Sequence, residues 1–260
     1  MSFLKVIAVE TIHFYKYQAT GNDFVIIDNR EAKITFSPSQ VSQICHPKFG
    51  IGADGLMLIE NHPTLNFHLE YFNSDGSKSL CGNGCRAAVQ FASQLGLVNG
   101  KAAFTAFDGP HAAEILPSGN IRLKMADVND VKSIGKDYFI NTGSPHYIRF
   151  VDDVESYSVF NTGREIRYDE QFKPGGTNVN FVQPLDTNTI FVRTYERGVE
   201  NETLSCGTGI TAAALAASIQ GYSSPVAIRT LGGNLSVEFK SSQSGTFKEI
   251  YLIGPAKMVF

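Results

Sequence analysis

Two tetrapeptides place reactive side chains at a spacing that could do chemistry: Cys81-Gly-Asn-Gly84 and Cys206-Gly-Thr-Gly209. Each opens onto an alanine-rich run that reads as a helix. The first spans Arg86–Leu95 and stops at Gly96, and the second spans Ile210–Gln220 and stops at Gly221. A cysteine at a helix start meets the positive end of the macrodipole and amides without intrahelical partners. That setting is expected to draw its pKa down from about 8.5 towards neutrality. The glycines let a ligand approach the backbone and leave N–H groups free for a carboxylate. One such turn alone is commonly a packing feature. Two, at matching places in two halves, point to a shared site with one thiol on each side. A pair of opposed weak bases around one carbon suits proton removal from one face and delivery to the other, as in racemisation or epimerisation.

Other residues are ambiguous when read singly. Glu196-Arg197-Gly198 follows an apolar run. It fits a surface ion pair at a strand end, or an arginine for a carboxylate with a glutamate near a thiol or ammonium. His146, in Gly143-Ser-Pro-His146, fits a structural role or a catalytic one. Asn22, Asn73, Asn83 and Asn178 lie in apparent turns, where asparagine is common for backbone reasons alone. Gly50-Ile-Gly-Ala-Asp-Gly55 matches a dinucleotide fingerprint literally, but a strand follows it where a helix should. It reads as a turn. Cys81, Cys85 and the nearby Cys45-His46 supply part of a zinc ligand set without a second paired motif. Cys45 and Cys85 are read more simply as small buried residues, and no metal is expected.

The elements that must hold these residues are short. Apolar or alternating runs at Phe24–Asp28, Leu56–Glu60, Phe67–Phe72, Ala112–Leu116, Ile121–Met125, Tyr147–Val151, Asn180–Gln183, Thr189–Tyr195, Asn234–Phe239 and Glu249–Ile253 read as strands. The two helices carry small residues all round, which suits enclosure rather than a surface. The chain also repeats weakly. Thr20-Gly-Asn-Asp-Phe-Val25 is echoed by Thr177-Asn-Val-Asn-Phe-Val182, upstream of the respective Cys-Gly-x-Gly turns. Two similar α+β domains, each with strands around one helix, fit this pattern. They are expected at 1–126 and 127–249, with the polar Asp127–Lys136 stretch as the connection.

Composition narrows the class. The 260 residues carry 22 Lys+Arg against 25 Asp+Glu, too balanced for bulk binding of nucleic acid. No stretch approaches the roughly 20 apolar residues of a membrane helix. The apolar start, Met1–Glu10, is interrupted by Lys5 and lacks a small-residue cleavage site, so it is not read as a signal peptide. Four cysteines are too few for a disulfide scaffold, and a cytoplasmic enzyme with reduced thiols is expected.

Taken in order, the motifs resemble the diaminopimelate epimerase family. They are Ala19-Thr-Gly-Asn-Asp-Phe-Val25, Phe49-Gly-Ile-Gly-Ala-Asp-Gly55, Phe72-Asn-Ser-Asp-Gly76, Cys81-Gly-Asn-Gly84, Asn141-Thr-Gly-Ser-Pro-His146, Gly176-Thr-Asn-Val-Asn-Phe181, Arg193-Thr-Tyr-Glu-Arg-Gly-Val199 and Glu202-Thr-Leu-Ser-Cys-Gly-Thr-Gly209. The resemblance implies an α+β fold of two pseudo-symmetric domains, each a strand-rich barrel around a central helix, with 250–260 returning to the first. It implies a cofactor-independent enzyme that epimerises LL-diaminopimelate to the meso form for lysine and cell-wall precursor synthesis. Cys81 and Cys206 would be the acid/base pair. Cys206 would accept the proton in the LL-to-meso direction and Cys81 would donate. His146 and Glu196 would tune the thiols. Asn22, Asn73, Gly82, Asn83, Asn178, Glu196, Arg197, Gly207 and Thr208 would contact the substrate. Three positions depart from the commonest pattern: Ser144 where many members have Asn, Gly55 where some have a ligand-reaching Gln, and a third thiol at Cys85. The implied partner is a small molecule, with a homodimer as the assembly to test.

Overall fold

A two-residue hairpin opens the first half. In the computed structural model, which describes residues 11–242 and 245–260, β1 (Tyr15–Ala19) and β2 (Asn22–Asp28) are antiparallel. The reading of Met1–Glu10 lies outside the described residues. The hairpin residues Thr20 and Gly21 both have positive φ, 49° and 84°, as a tight primed turn requires. From β2 the chain passes through α1 (Pro38–Cys45) to β3 (Gly55–Glu60), parallel to β2. β4 (Phe67–Asn73) returns antiparallel, and α2 (Gly82–Gln94) then carries the chain to β5 (Lys101–Ala106), parallel to β4. β6 (Gly109–Ile115) and β7 (Ile121–Lys124) finish the half as antiparallel neighbours.

The second half repeats that order. β8 (Val131–Ile134) and β9 (Asp137–Asn141) form a hairpin, so the Asp127–Lys136 stretch contains a strand rather than only a connection. β9 pairs antiparallel with β10 (Pro145–Phe150), and α3 (Val159–Arg167) leads to the parallel β11 (Asn178–Pro184). β12 (Thr189–Glu196) returns antiparallel, extended at its end by the short β13 (Asn201–Thr203). α4 (Gly207–Ile219) crosses to β14 (Val226–Thr230), parallel to β12, and β15 (Gly233–Ser241) and β16 (Phe247–Gly254) follow antiparallel. The counterparts β7 and β16 pair with each other across the molecule, with Leu123 opposite Leu252. The last strand, β17 (Lys257–Met258), pairs with β1. The fold is thus a two-domain, strand-rich α+β fold.

Burial explains the central helices. Ala212 to Ala217 of α4 are all fully buried, as are Ala87, Ala88 and Ala92 of α2. Small side chains all round let strands close in on every face. The outer helices escaped the sequence reading. α1 carries a capping box between Ser37 and Gln40 with Pro38 in its first turn. α3 lies with Gly163 against Tyr195, where an added Cβ would come within 2.4 Å of the Tyr195 Cβ. Among the described residues, no helix is long and apolar enough to cross a membrane.

Candidate active site

The central helices begin earlier than their apolar runs suggest. α2 starts at Gly82 and α4 at Gly207, so Cys81 and Cys206 are their N-cap residues. The two starts meet over the β7–β16 seam. A Cβ on Gly207 would lie 3.1 Å from Leu252, 3.5 Å from Asn83 Oδ1 and 3.8 Å from the Gly82 Cα. A Cβ on Gly82 would meet Leu252 and Leu123. Side chains stitch the halves together here. Asn83 Nδ2 donates to the Ser205 carbonyl at 2.9 Å, and the Thr20 hydroxyl donates to Ser205 Oγ at 2.9 Å.

Cys81 has partners of both kinds. Its Sγ accepts from the Gly84 N–H at 3.4 Å and donates to Asn22 Oδ1 at 3.4 Å. Asn22 is held the right way round because its Nδ2 donates to Asp54 Oδ2 at 2.7 Å. Burial pushes the Asp54 carboxyl up, and the Asn22 bond opposes that. The buried Tyr71 side chain also acts on the Cys81 sulfur, in the sense that favours its thiolate. A Cβ at Gly55 would sit 2.8 Å from the Tyr71 Oη, so the space beside Gly55 belongs to the tyrosine. The roles of Asp54 and Tyr71 were missed from the sequence: Asp54 lies inside the Phe49–Gly55 motif, but an Asp in a turn is common for backbone reasons, and a Tyr in a strand carries no signal.

Cys206 is served by a relay. Thr208 Oγ1 lies 3.6 Å from the Cys206 Sγ and 2.9 Å from His146 Nε2. Asn180 Nδ2 lies 3.1 Å from His146 Nδ1 and donates to the Tyr147 carbonyl at 3.1 Å, while Asn180 Oδ1 accepts from Thr194 at 2.9 Å. A carbonyl can only accept, so the Asn180 amide is the donor on this side and His146 Nδ1 must accept. The imidazole proton then sits on Nε2 and points at Thr208, leaving the Thr208 hydroxyl hydrogen for the Cys206 sulfur. Burial and the Arg197 charge push His146 down to about 3, so it stays neutral. Asn180 and Thr194 were also missed.

The thiols are not drawn towards neutrality as expected. Burial raises both, and the nearby Glu196 charge raises them further. Amides at the helix starts pull the other way, with Gly84 and Asn83 acting on Cys81 and Gly209 acting on Cys206. Desolvation therefore outweighs the helix termini. Glu196 is itself pushed up by burial and accepts from the Thr203 hydroxyl at 2.9 Å. Cys45 and Cys85 are buried free thiols, both raised by desolvation, Cys45 to about 11.

The remaining candidates divide. Asn178 Oδ1 accepts the Arg197 backbone N–H at 2.8 Å, and its amide donates to Ser144 Oγ and the Pro145 carbonyl, each at 2.9 Å. Ser144 thus orients Asn178. The Arg197 guanidinium bonds only to the Gly175 carbonyl, at 3.3 Å, and among the described residues it has no carboxylate partner. Asn73 bonds within its own turn, to Ser77 and Ser79, and is not joined to the thiols by any hydrogen bond. No group of three or more His, Cys, Asp or Glu among the described residues could hold a metal ion.

A doubled arrangement of this kind is what the comparisons with known proteins also find. The diaminopimelate epimerase family model matches residues 14–131 and again 138–259. The chain belongs to the diaminopimelate epimerase family. It is 45% identical to the Flavobacterium psychrophilum diaminopimelate epimerase over 253 residues, covering 95% of this chain and 97% of the relative. It is 43% identical to the Aquifex aeolicus enzyme of that name over 272 residues, with 96% of each chain covered. Among solved structures, a Bacillus anthracis PhzF-family phenazine biosynthesis protein has a TM-score of 0.75 at 14% identity, covering 97% of this chain and 98% of its own. A probable proline racemase from Agrobacterium radiobacter scores 0.63 at 13% identity, covering 95% and 91%. Those two share the fold of this family.

Proposed function

We propose that the protein epimerises LL-2,6-diaminopimelate to meso-diaminopimelate, for lysine and peptidoglycan precursor synthesis. The observation that carries the reading is the meeting of two helix starts, each capped by a free thiol. In this reading Cys206, as thiolate, takes the α-proton while Cys81, as thiol, protonates the opposite face. The roles exchange in reverse. The thiols titrate as a pair, because one proton is shared between them.

The substrate arrives with charges that suit the site. Arg197, lacking a carboxylate partner, takes the α-carboxylate together with N–H groups at Gly82, Asn83, Gly207 and Thr208. Those donors also stabilise the charge that develops as the proton leaves. Glu196 takes the α-ammonium, and its charge then no longer opposes the thiolate. Asn22 and Asn178 complete the contacts. Asn73 contacts substrate through its turn. His146 acts on Cys206 through Thr208. The reading calls for no pyridoxal phosphate. The domains divide at 1–126 and 127–254, so β16 stays whole in the second, and of the expected 250–260 segment β17 joins the first through its pairing with β1. A cytoplasmic location keeps the thiols reduced, and the assembly is a homodimer, which sedimentation checks.

Incubation with LL- or meso-diaminopimelate in D2O under reducing conditions tests the reading. Deuterium should enter the α-carbon as the stereoisomers interconvert. Absence of exchange overturns it, and exchange with proline or histidine instead reassigns the substrate.

A further inference from the structure

Helix α2 carries a single charged residue, Arg86, and its side chain is completely buried. Nη2 donates to Asn83 Oδ1 at 3.0 Å and to Thr20 Oγ1 at 3.2 Å, while Nε and Nη1 have no hydrogen-bond partner. Among the described residues no carboxylate forms an ion pair with it. A buried guanidinium without a countercharge is unfavourable enough that a fold keeps one only where something offsets it. Burial lowers it to about 10, which leaves it charged at neutral pH.

Its two acceptors lead to the two sides of the thiol site. Asn83 lies on the turn that begins at Cys81, and its own amide crosses to the Ser205 carbonyl. Thr20 crosses to the Ser205 hydroxyl, and Ser205 precedes Cys206. Arg86 stands five residues past Cys81, and the residue five past Cys206 is Thr211. Thr211 is also buried but uncharged, and it turns its hydroxyl back to the Gly207 carbonyl at 2.9 Å. The doubled fold therefore holds one cation here, not two.

We infer that Arg86 is the resident countercharge of the thiol pair, favouring one negative charge at the helix junction whichever sulfur carries it. The inference rests on the two-thiol reading above. In such an exchange one sulfur gains the α-proton and the other gives its proton up. The pair therefore holds one proton and one negative charge before and after. A single fixed cation tied to both sides matches that constant charge. On the Cys81 side the electrostatics have the same sense, since Cys81 and its neighbour Cys85 both favour the charged form of Arg86. Arg86 touches no reacting atom, so it is a positioning residue that acts through the thiols.

The test is the pH dependence of iodoacetamide alkylation in the reduced, substrate-free protein, resolved by mass spectrometry for Cys81 and Cys206. Arg86→Gln keeps amide donors and removes the charge. It should move the alkylation midpoint up by about one pH unit or more, while Arg86→Lys should hold it within about 0.3 units. Thr20→Val loosens the same hydrogen-bond hub and keeps the charge, so its midpoint should also hold. An unmoved midpoint in folded Arg86→Gln overturns the inference, as does an equal shift in Arg86→Lys. If Arg86→Gln does not fold, Thr20→Val decides, because a shift of a full unit there would make Arg86 a structural hub only. Alkylation needs no substrate, so this outcome is separate from the deuterium-exchange result.

Discussion

At the scale of single residues, the site is built from hydrogen bonds with fixed direction. Asp54 turns Asn22, Ser144 turns Asn178, and Asn180 sets the tautomer of His146. Cys81→Ala or Cys206→Ala should lower epimerisation at least about a thousandfold with the fold intact, measured by stereoisomer interconversion. Tyr71→Phe removes a hydroxyl from the Cys81 sulfur alone. Its alkylation midpoint should rise at Cys81 and stay put at Cys206. His146 supplies a stability signature. Its folded pKa of about 3 lies below the ordinary 6.5, so the unfolded chain binds the proton first. The stability of keeping it neutral is present above pH 6.5 and is lost as pH falls towards 3, by up to about 1.4 kcal/mol per pH unit. Denaturant unfolding should show that slope, and His146→Asn should remove it. The thiols, Glu196, Arg197 and His146 were legible because their types sit inside ordered motifs. Asp54 and Asn180 sit in the same motifs, but their roles were not legible, nor were those of Tyr71 and Arg86, since only the pairing of strands and the burial of α2 bring them to the site.

At the scale of elements, the helix starts do the positioning. Gly209 has no Cβ because Asn180 and His146 occupy the space, at 2.4 Å and 3.2 Å from where it would stand. Gly209→Ala should therefore destabilise by about 1–3 kcal/mol and raise the alkylation midpoint of Cys206. Thermal unfolding and alkylation separate the two effects. Most strands were readable from apolar runs bounded by turn residues, and both central helices from their alanines. Their first turns were not, because Gly82–Cys85 and Gly207–Gly209 read locally as loop. The helical geometry there comes from the site's packing rather than from propensity. α1 had a readable capping signature, Ser37 with Gln40, but only 8 residues in which to show an apolar period.

At the scale of the whole molecule, the seam between β7 and β16 carries both halves of the site. Leu252 packs under Gly82 and Gly207 together. Leu252→Ala should cost about 2–5 kcal/mol in unfolding experiments and lower kcat more than it changes KM. The weak sequence repeat made two similar halves legible. It did not reveal that the repeat's last strands pair with each other, which depends on closure in three dimensions. That pairing has a consequence for symmetry. β7 and β16 are counterparts and run antiparallel, with Leu123 opposite Leu252. A half-turn about an axis between them exchanges the halves, which is how two identical subunits close a dimer. A dimer of identical halves would have to present the same groups to both faces of a bound carbon. An α-carbon bearing one carboxylate, one ammonium and one long arm has no such symmetry. Joining the halves in one chain frees each side to differ, and here Asn83 answers Thr208, and Arg86 answers Thr211. In the two-thiol reading proposed above, the covalent link is thus what lets a twofold scaffold grip an unsymmetrical molecule in one orientation while offering it a thiol from either side.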